Sequence, residues 1–454
     1  MNHQPQITPG SRIRGFFIFA AGLLLSPIVA LMGDVAAGFV SHQPLVSALV
    51  FLLVSGLLLF LFFQPALRRW GLRQPRRASG ILAIVLTVLF GFVLLRPYTY
   101  PGAPAVTQTP YQYWDLSTGS HVAYVHLPAQ GTAQPYPILF LHGGPGGYIT
   151  DSHVAFFQQL TQDGFDVYLF DQAGGGQSQR LDKPTEYTID QAIQDIEAIR
   201  AEIGAEKIIP VGSSYGGTLA LTYLAGYPNR VDKMLLPSTG PYNWSDAFTE
   251  QEVQTYAADV AGQNNPFKSD GASEDGSLSP FAAPLNLLVA FLSSAQNPTA
   301  ATFFVSQDDF SYYLDSQVLS NAGQAAYCEK DRASLDAPAT AIYQGFNIVA
   351  NGNITAEANQ NASDYATFAD FADMTTPVLM IKGSCDYVDW PDNVLIGRAL
   401  ANSHLVRIEH VGHNLWPASQ PAAGEMVYQV MRAFLLDEPP PVPYYTQMDW
   451  AYER

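Results

Sequence analysis

The chain has 454 residues, 48% hydrophobic and 14% charged, with 22 Lys and Arg against 40 Asp and Glu and a net charge of −18. That length exceeds one ordinary domain, and the acidic balance excludes nucleic acid as a partner, because phosphate contacts need clustered Lys and Arg. Two cysteines, Cys328 and Cys385, leave no metal-ligand cluster and allow at most one disulfide, so neither a metal nor a cofactor is expected.

The charges are unevenly placed. Residues 1–100 hold eight arginines, no lysine and a single acid, Asp34, so the remainder is strongly acidic. Within this first part Ile13–Met32, Leu45–Phe63 and Ala78–Leu95 are apolar and each about long enough to cross a ~30 Å hydrocarbon layer at 1.5 Å per residue. A cleaved signal peptide would explain the first stretch but not the other two. Arg12 and Arg14 precede the first span, and Arg68, Arg69, Arg73, Arg76 and Arg77 lie between the second and third. The positive-inside rule then puts the N-terminus and the arginine link in the cytoplasm and everything after Tyr98 on the extracytoplasmic face. Trp70, Tyr98 and Tyr100 stand where interfacial aromatics belong.

Residues 1–97 are therefore expected to form a membrane region contacting lipid, and the proline-rich 98–110 a linker. From residue 111 short apolar runs alternate with helical segments. The runs are His121–Leu127, Pro137–Leu141, Asp166–Phe170, Lys207–Val211, Asp232–Leu236, Pro377–Ile381 and His404–Ile408. Thr188–Ile203 carries Ile189, Ala192, Ile193, Ile196 and Ile199 on one helical face. This alternation predicts an α/β fold, a mostly parallel sheet with helices on both faces, over 111–241 and 374–437. Residues 242–373 interrupt it as a helical cap insertion, and 438–454 form a proline-rich tail.

Val211–Leu221 holds the organising motif. Gly212-Ser213-Ser214-Tyr215-Gly216 matches G-x-S-x-G between an apolar strand and an apolar helix, the setting of a nucleophile elbow with Ser214 at its tip. Acyl transfer by serine also needs a base, an acid that orients the base, and donors for an oxyanion. Asp386, in Lys382-Gly383-Ser384-Cys385-Asp386 after a strand, suits the acid, with Asp389 and Asp392 as rivals. His413, in Glu409-His410-Val411-Gly412-His413 after the next strand, suits the base, with His410 as competitor. Leu141-His142-Gly143-Gly144-Pro145-Gly146-Gly147 offers the amides of Gly143 and Gly144 to complete an oxyanion hole with that of Tyr215. It lacks the Lys-Ser/Thr pair of a phosphate loop. Asp171-Gln172-Ala173-Gly174-Gly175-Gly176-Gln177-Ser178 is a further glycine turn that shapes the pocket wall.

In this order HGGPGG, DQAGGGQS, GSSYGG, GSCD and GH resemble the prolyl iminopeptidase family of α/β-hydrolases, over about 110–240 and 370–435. The resemblance implies Ser214 as nucleophile, Asp386 and His413 as its partners, Gly144 and Tyr215 as oxyanion donors, and a cap that grips a peptide's free α-amino group through glutamates. Ala173 and Gly175 replace larger residues of the family pattern, and in Gln344-Gly345-Phe346-Asn347-Ile348 an isoleucine stands where a glutamate would be. Glu329, Asp331, Glu250 and Glu252 are the substitute candidates for substrate binding. On an oxidising face Cys328 and Cys385 would tie the cap to the acid loop.

The expected function is a membrane-anchored serine hydrolase, a peptidase releasing N-terminal residues, proline among them, through an acyl-enzyme. The alternatives are an esterase or amidase acting on small apolar substrates and a non-catalytic receptor or scaffold on a hydrolase fold. The expected partners are a small peptide or ester and membrane lipid.

Overall fold

The computed structural model describes residues 8–41, 44–94, 105–144, 147–179, 181, 186–239, 370–371, 373–383, 386, 390–409, 411–416 and 421–444. The chain divides into two compact units, one containing the N-terminal helices and one containing a sheet. The helices expected in the cap, both cysteines and Asp389 lie outside the described residues.

In the first unit α1 (Pro9–Ser41), α2 (Pro44–Arg69) and α3 (Pro75–Leu94) follow one another through short links. Each holds a segment long and apolar enough to cross a membrane: Pro9–Asp34, Ala48–Arg69 and Pro75–Val93. Phe17, Leu24, Leu53 and Ile81 are more than half exposed on the outside of these helices, whereas Ser26, Ser55 and Ser79 are buried within. That is the reverse of a water-soluble surface. Helices α1 and α2 pack antiparallel: Phe19 stacks on Phe63 at 4.2 Å, and Trp70 Nε1 donates to Arg12 O at 3.1 Å. The start of α1 and the end of α2 thus share one end of the hairpin, which gathers Arg12 beside Arg68 and Arg69.

The second unit is built on an eight-stranded sheet. Its strands are β1 (Gln112–Asp115), β2 (His121–Leu127), β3 (Ile138–Leu141), β4 (Val167–Phe170), β5 (Ile209–Gly212), β6 (Met234–Pro237), β7 (Val378–Gly383) and β8 (Ser403–Ile408). The spatial order is β1-β2-β4-β3-β5-β6-β7-β8. The first two pairings, β1–β2 and β2–β4, are antiparallel and every later one is parallel. Strands β3, β5, β6 and β7 are buried along their whole length, as a parallel sheet covered on both faces requires.

Helices supply the cover. On one face α5 (Ile189–Ile203), α6 (Tyr215–Gly226) and α7 (Trp390–Ala399) pack against Leu139, Leu141, Met234, Leu236, Val378 and Met380. Ile189, Ile193, Ile196 and Ile199 of α5 are all buried there, with Ala192 packed against them. On the other face α4 (Asp151–Phe157) and α8 (Pro421–Leu435) cover Phe140, Val211, Leu235, Leu379 and Ile381. Local signals place the ends: Thr188 caps α5 by accepting from Gln191 N, and Gly204 closes it at φ 74. With six neighbouring parallel strands ending on one edge, the loops that follow them collect in one place. In open α/β sheets, that edge is where ligands bind.

Candidate active site

Ser214 lies between β5 and α6 with φ 53 and ψ −121, one of three described non-glycine residues with positive φ. A serine is held there only if its surroundings force the turn. They do so from both sides: Ser213 N donates to Leu141 O at the end of β3, and Ser214 N to Pro237 O at the end of β6. Close packing fixes the motif's second glycine, since a Cβ on Gly216 would stand 2.0 Å from Leu141 O. Ser214 is the N-cap of α6, yet its hydroxyl does not bond the helix's first amides, as capping serines usually do. Among the described residues it makes no hydrogen bond at all, which leaves the oxygen available for chemistry.

The candidate acid and base meet after β7 and β8. His413 Nδ1 lies 2.7 Å from Asp386 Oδ1, with the carboxylate fully buried and the imidazole 13% exposed. A carboxylate accepts, so Nδ1 carries the proton and Nε2 is left as the basic nitrogen. Asp386 Oδ2 accepts from Lys382 Nζ at 3.2 Å. No hydrogen bond joins His413 to Ser214; in unliganded sites such bonds are often long and tighten with substrate.

The loop after β3 lies against the serine. A Cβ on Gly143 would be 3.0 Å from Ser214 Cβ and 3.6 Å from its Oγ, and Gly144 follows with φ 145. Buried His142 sets the direction of this loop. Its Nε2 accepts from Gln172 N at 3.0 Å, so Nδ1 holds the proton and donates to Gly143 O at 2.8 Å. The Gly143 carbonyl and the Gly144 N–H belong to one planar peptide and point in opposite directions, so anchoring the carbonyl aims the amide. Burial pushes the His142 imidazolium down to about 4, partly offset by the bond to Gly143 O, so the ring is neutral at pH 7. Tyr215 opens α6, so its N–H lies at the helix N-terminus beside Ser214.

The glycine turn after β4 is a brace for this loop. Asp171 is fully buried and accepts from Ile149 N at 2.6 Å and Gln177 N at 2.8 Å, while Ser178 Oγ donates to Asp171 O and accepts from Ala123 N. The departure at Gly175 has a steric reason, because a Cβ there would meet Gly147 O at 2.6 Å. Among the described residues no cluster of His, Cys, Asp or Glu could hold a metal ion.

Comparison with known proteins agrees with this architecture. The family model for the alpha/beta hydrolase fold matches residues 136–416, more than half of the chain. The chain belongs to the α/β-hydrolase family. It is 33% identical to a proline iminopeptidase of Arabidopsis thaliana over 127 residues, 28% of this chain and 32% of the relative. To a proline iminopeptidase of Lactobacillus delbrueckii subsp. lactis it is 36% identical over 131 residues, 27% of this chain and 42% of the relative. The chain thus spans about a third to two fifths of the length of these curated relatives. An esterase from Exiguobacterium antarcticum superposes with a TM-score of 0.42 at 16% identity, covering 69% of this chain and 97% of that one.

In this α/β hydrolase, Ser214, Asp386, His413, Gly143 and Gly144 sit on loops following β3, β5, β7 and β8, and Tyr215 begins α6 next to Ser214, at one edge of the sheet. Of their rivals, Asp389, His410 and the side chain of Asp392 lie outside the described residues, as do Glu329, Asp331, Glu250, Glu252 and the Cys328–Cys385 pair. Two contributors were missed from sequence. The sequence marks His142 only as the first letter of its motif and Lys382 only as the flank of an apolar strand, although its alternation with Val378 and Met380 marks an inward position.

Two measurements test this geometry. Strain of roughly 1–3 kcal/mol at a disfavoured φ exceeds the about 0.5–1 kcal/mol that glycine loses through a freer unfolded chain. Ser214→Gly is therefore expected to raise the melting temperature of the sheet unit, and a lower one would remove the argument. His142 is held neutral in the fold but titrates near its ordinary value of 6.5 when unfolded. Its contribution is complete above about 6.5 and declines as pH falls toward about 4. The stability gap between wild type and His142→Gln should narrow over that window, and a constant gap would show that the ring is not held neutral by burial.

Proposed function

We propose that this α/β hydrolase is a membrane-anchored serine hydrolase that releases N-terminal residues from small peptides through an acyl-enzyme. The observation that carries the reading is the 2.7 Å contact between His413 Nδ1 and Asp386 Oδ1 on the edge that also presents the strained Ser214. His413 Nε2 takes the Ser214 proton as Oγ bonds to the substrate's carbonyl carbon. The resulting oxyanion is met by the amides of Gly144 and Tyr215, with Gly143 shaping the hole. Collapse of this intermediate breaks the scissile bond, and the leaving amine takes the proton from His413. Water then gives a proton to Nε2 and attacks the acyl carbon, and the acid departs as Ser214 recovers its hydrogen.

Peptide substrates are favoured by the 33% and 36% identity to proline iminopeptidases. The second reading, an esterase or amidase with the same machinery, is favoured by Ile348, which stands where that family's amine-binding glutamate would be. Glu329, Asp331, Glu250 and Glu252 are the acids available to replace it. The three spans anchor the protein in lipid. Arg12 shares one hairpin end with Arg68 and Arg69, and this favours a cytoplasmic arginine end with the hydrolase on the opposite side.

Full-length protein in detergent should be labelled by a fluorophosphonate at Ser214 and should cleave proline-β-naphthylamide. Both activities should fall by more than about 10³-fold in Ser214→Ala or His413→Ala, because triad members act as a unit. Turnover of p-nitrophenyl acetate alone would select the esterase, and absence of labelling would select a scaffold. A reporter fused after Gly102 is expected to work only when it requires an extracytoplasmic position. Activity confined to a cytoplasmic reporter would reverse the orientation.

A further inference from the structure

Lys382 ends a strand that otherwise reads as core. It alternates in phase with Val378 and Met380, both packed under the helices on that face, and its side chain is 0% exposed. Its Nζ lies 3.2 Å from Asp386 Oδ2, and Asp386 is itself 0% exposed. The carboxylate is therefore shared, with Oδ1 toward His413 at 2.7 Å and Oδ2 toward Lys382.

We propose that Lys382 is a positioning residue for the acid of the site, its ammonium holding the Asp386 carboxylate charged and fixed in rotation so that Oδ1 faces His413. The inference rests on the serine-hydrolase reading of Ser214, Asp386 and His413. Two physical points carry it. A buried ion pair is a poor route to stability, since apolar residues of similar volume often do as well or better. A purely structural need at residue 382 would thus be met by methionine. The ammonium also acts on the chemistry, because a positive charge beside an acid–base pair disfavours an added proton on that pair. With Oδ2 occupied, the carboxylate is also restrained from rotating and offering His413 the other oxygen.

Other charges border this place. Arg407 lies opposite Lys382 in the β7–β8 register, and its Nε is 2.9 Å from Glu409 Oε1. Asp392 and Arg398 belong to α7, and Cys385, Tyr387 and Asp389 to the adjoining loop, with side chains outside those described. All are common to the wild type and the variants below, so a difference between these proteins reports the residue at 382.

The test is the pH dependence of fluorophosphonate labelling of the full-length protein in detergent, which reads the base without needing the natural substrate. Lys382→Met should move the acid limb of the labelling rate upward by about one pH unit or more, the scale expected for one charge a few ångströms away at an effective dielectric near 20. Lys382→Arg, which keeps the charge, should restore the wild-type limb. An unmoved limb in Lys382→Met, or an equal shift in Lys382→Arg, overturns the inference while leaving the serine-hydrolase reading intact. Absence of labelling in the wild type removes that reading and this inference with it. Should Lys382→Met fail to fold, the double variant Lys382→Met/Asp386→Asn, which removes both charges, should melt above Asp386→Asn alone. A double variant that melts no higher overturns the pairing.

Discussion

The turn at Ser214 is the constraint on which the site depends. Its backbone occupies a region that costs a serine free energy, and the short local bonds Gly216 N to Ser213 O and Gly217 N to Ser214 O are not its only restraint. The sheet supplies the rest. Strand β5 lies between β3 and β6, and the amides of Ser213 and Ser214 are taken by the last carbonyls of those neighbours. Helix α6 then runs into the core, with every residue from Gly216 to Leu224 buried. The turn cannot relax without lifting that helix or breaking the strand ends. Parallel order thus sets the geometry of the turn, because only parallel neighbours end together and offer their terminal carbonyls on one edge.

The loops around the turn are held by a different kind of contact. His142, Gln172 and Asp171 bind backbone amides and carbonyls of one another's loops, all within buried surroundings. A neutral imidazole suits this better than a charged one, since it offers one donor and one acceptor in fixed directions and suffers no desolvation of an ion. The loop after β3 is consequently set before any substrate arrives. Preorganised donors of this kind stabilise a developing charge without reorganising at the moment of reaction.

Much of this was legible in the residues, for identifiable reasons. Strands buried on nearly every residue announce themselves as apolar runs, so the sequence places β3, β4 and β5 within two residues of their ends, and the loose alternation of His121–Leu127 places β2 at its full extent. The elbow was legible because its glycines answer to sterics that any such turn imposes. Helix α1 begins before Ile13 and ends after Met32, since apolarity marks what can meet lipid whereas backbone hydrogen bonding sets where the helix ends. Strand β1 escaped because Gln112, Tyr113 and Asp115 are exposed at the sheet's edge and leave no apolar run. The tautomer of His142 had no local signal at all, being decided by Gln172, thirty residues away. The charge at Lys382 was visible, but its partner became apparent only once the strand's inward phase was joined to the turn that brings Asp386 back over it.

Buried carboxylates in this protein separate architecture from chemistry by the partners they keep. Asp195 accepts from the hydroxyls of Thr118 and Ser120 and from the Gln191 amide, and Asp171 from two backbone amides. Those donors do not change protonation state near neutral pH, so their bonds to these acids tie loops together. Even with them, burial raises the Asp195 carboxyl above its ordinary range, which shows how strongly the interior resists the charge. Asp386 is buried as completely, yet the partners on its two oxygens are His413 and Lys382, both able to carry a proton. A carboxylate placed between two such groups couples its own charge to theirs. That coupling, rather than burial alone, sets Asp386 apart from Asp171 and Asp195.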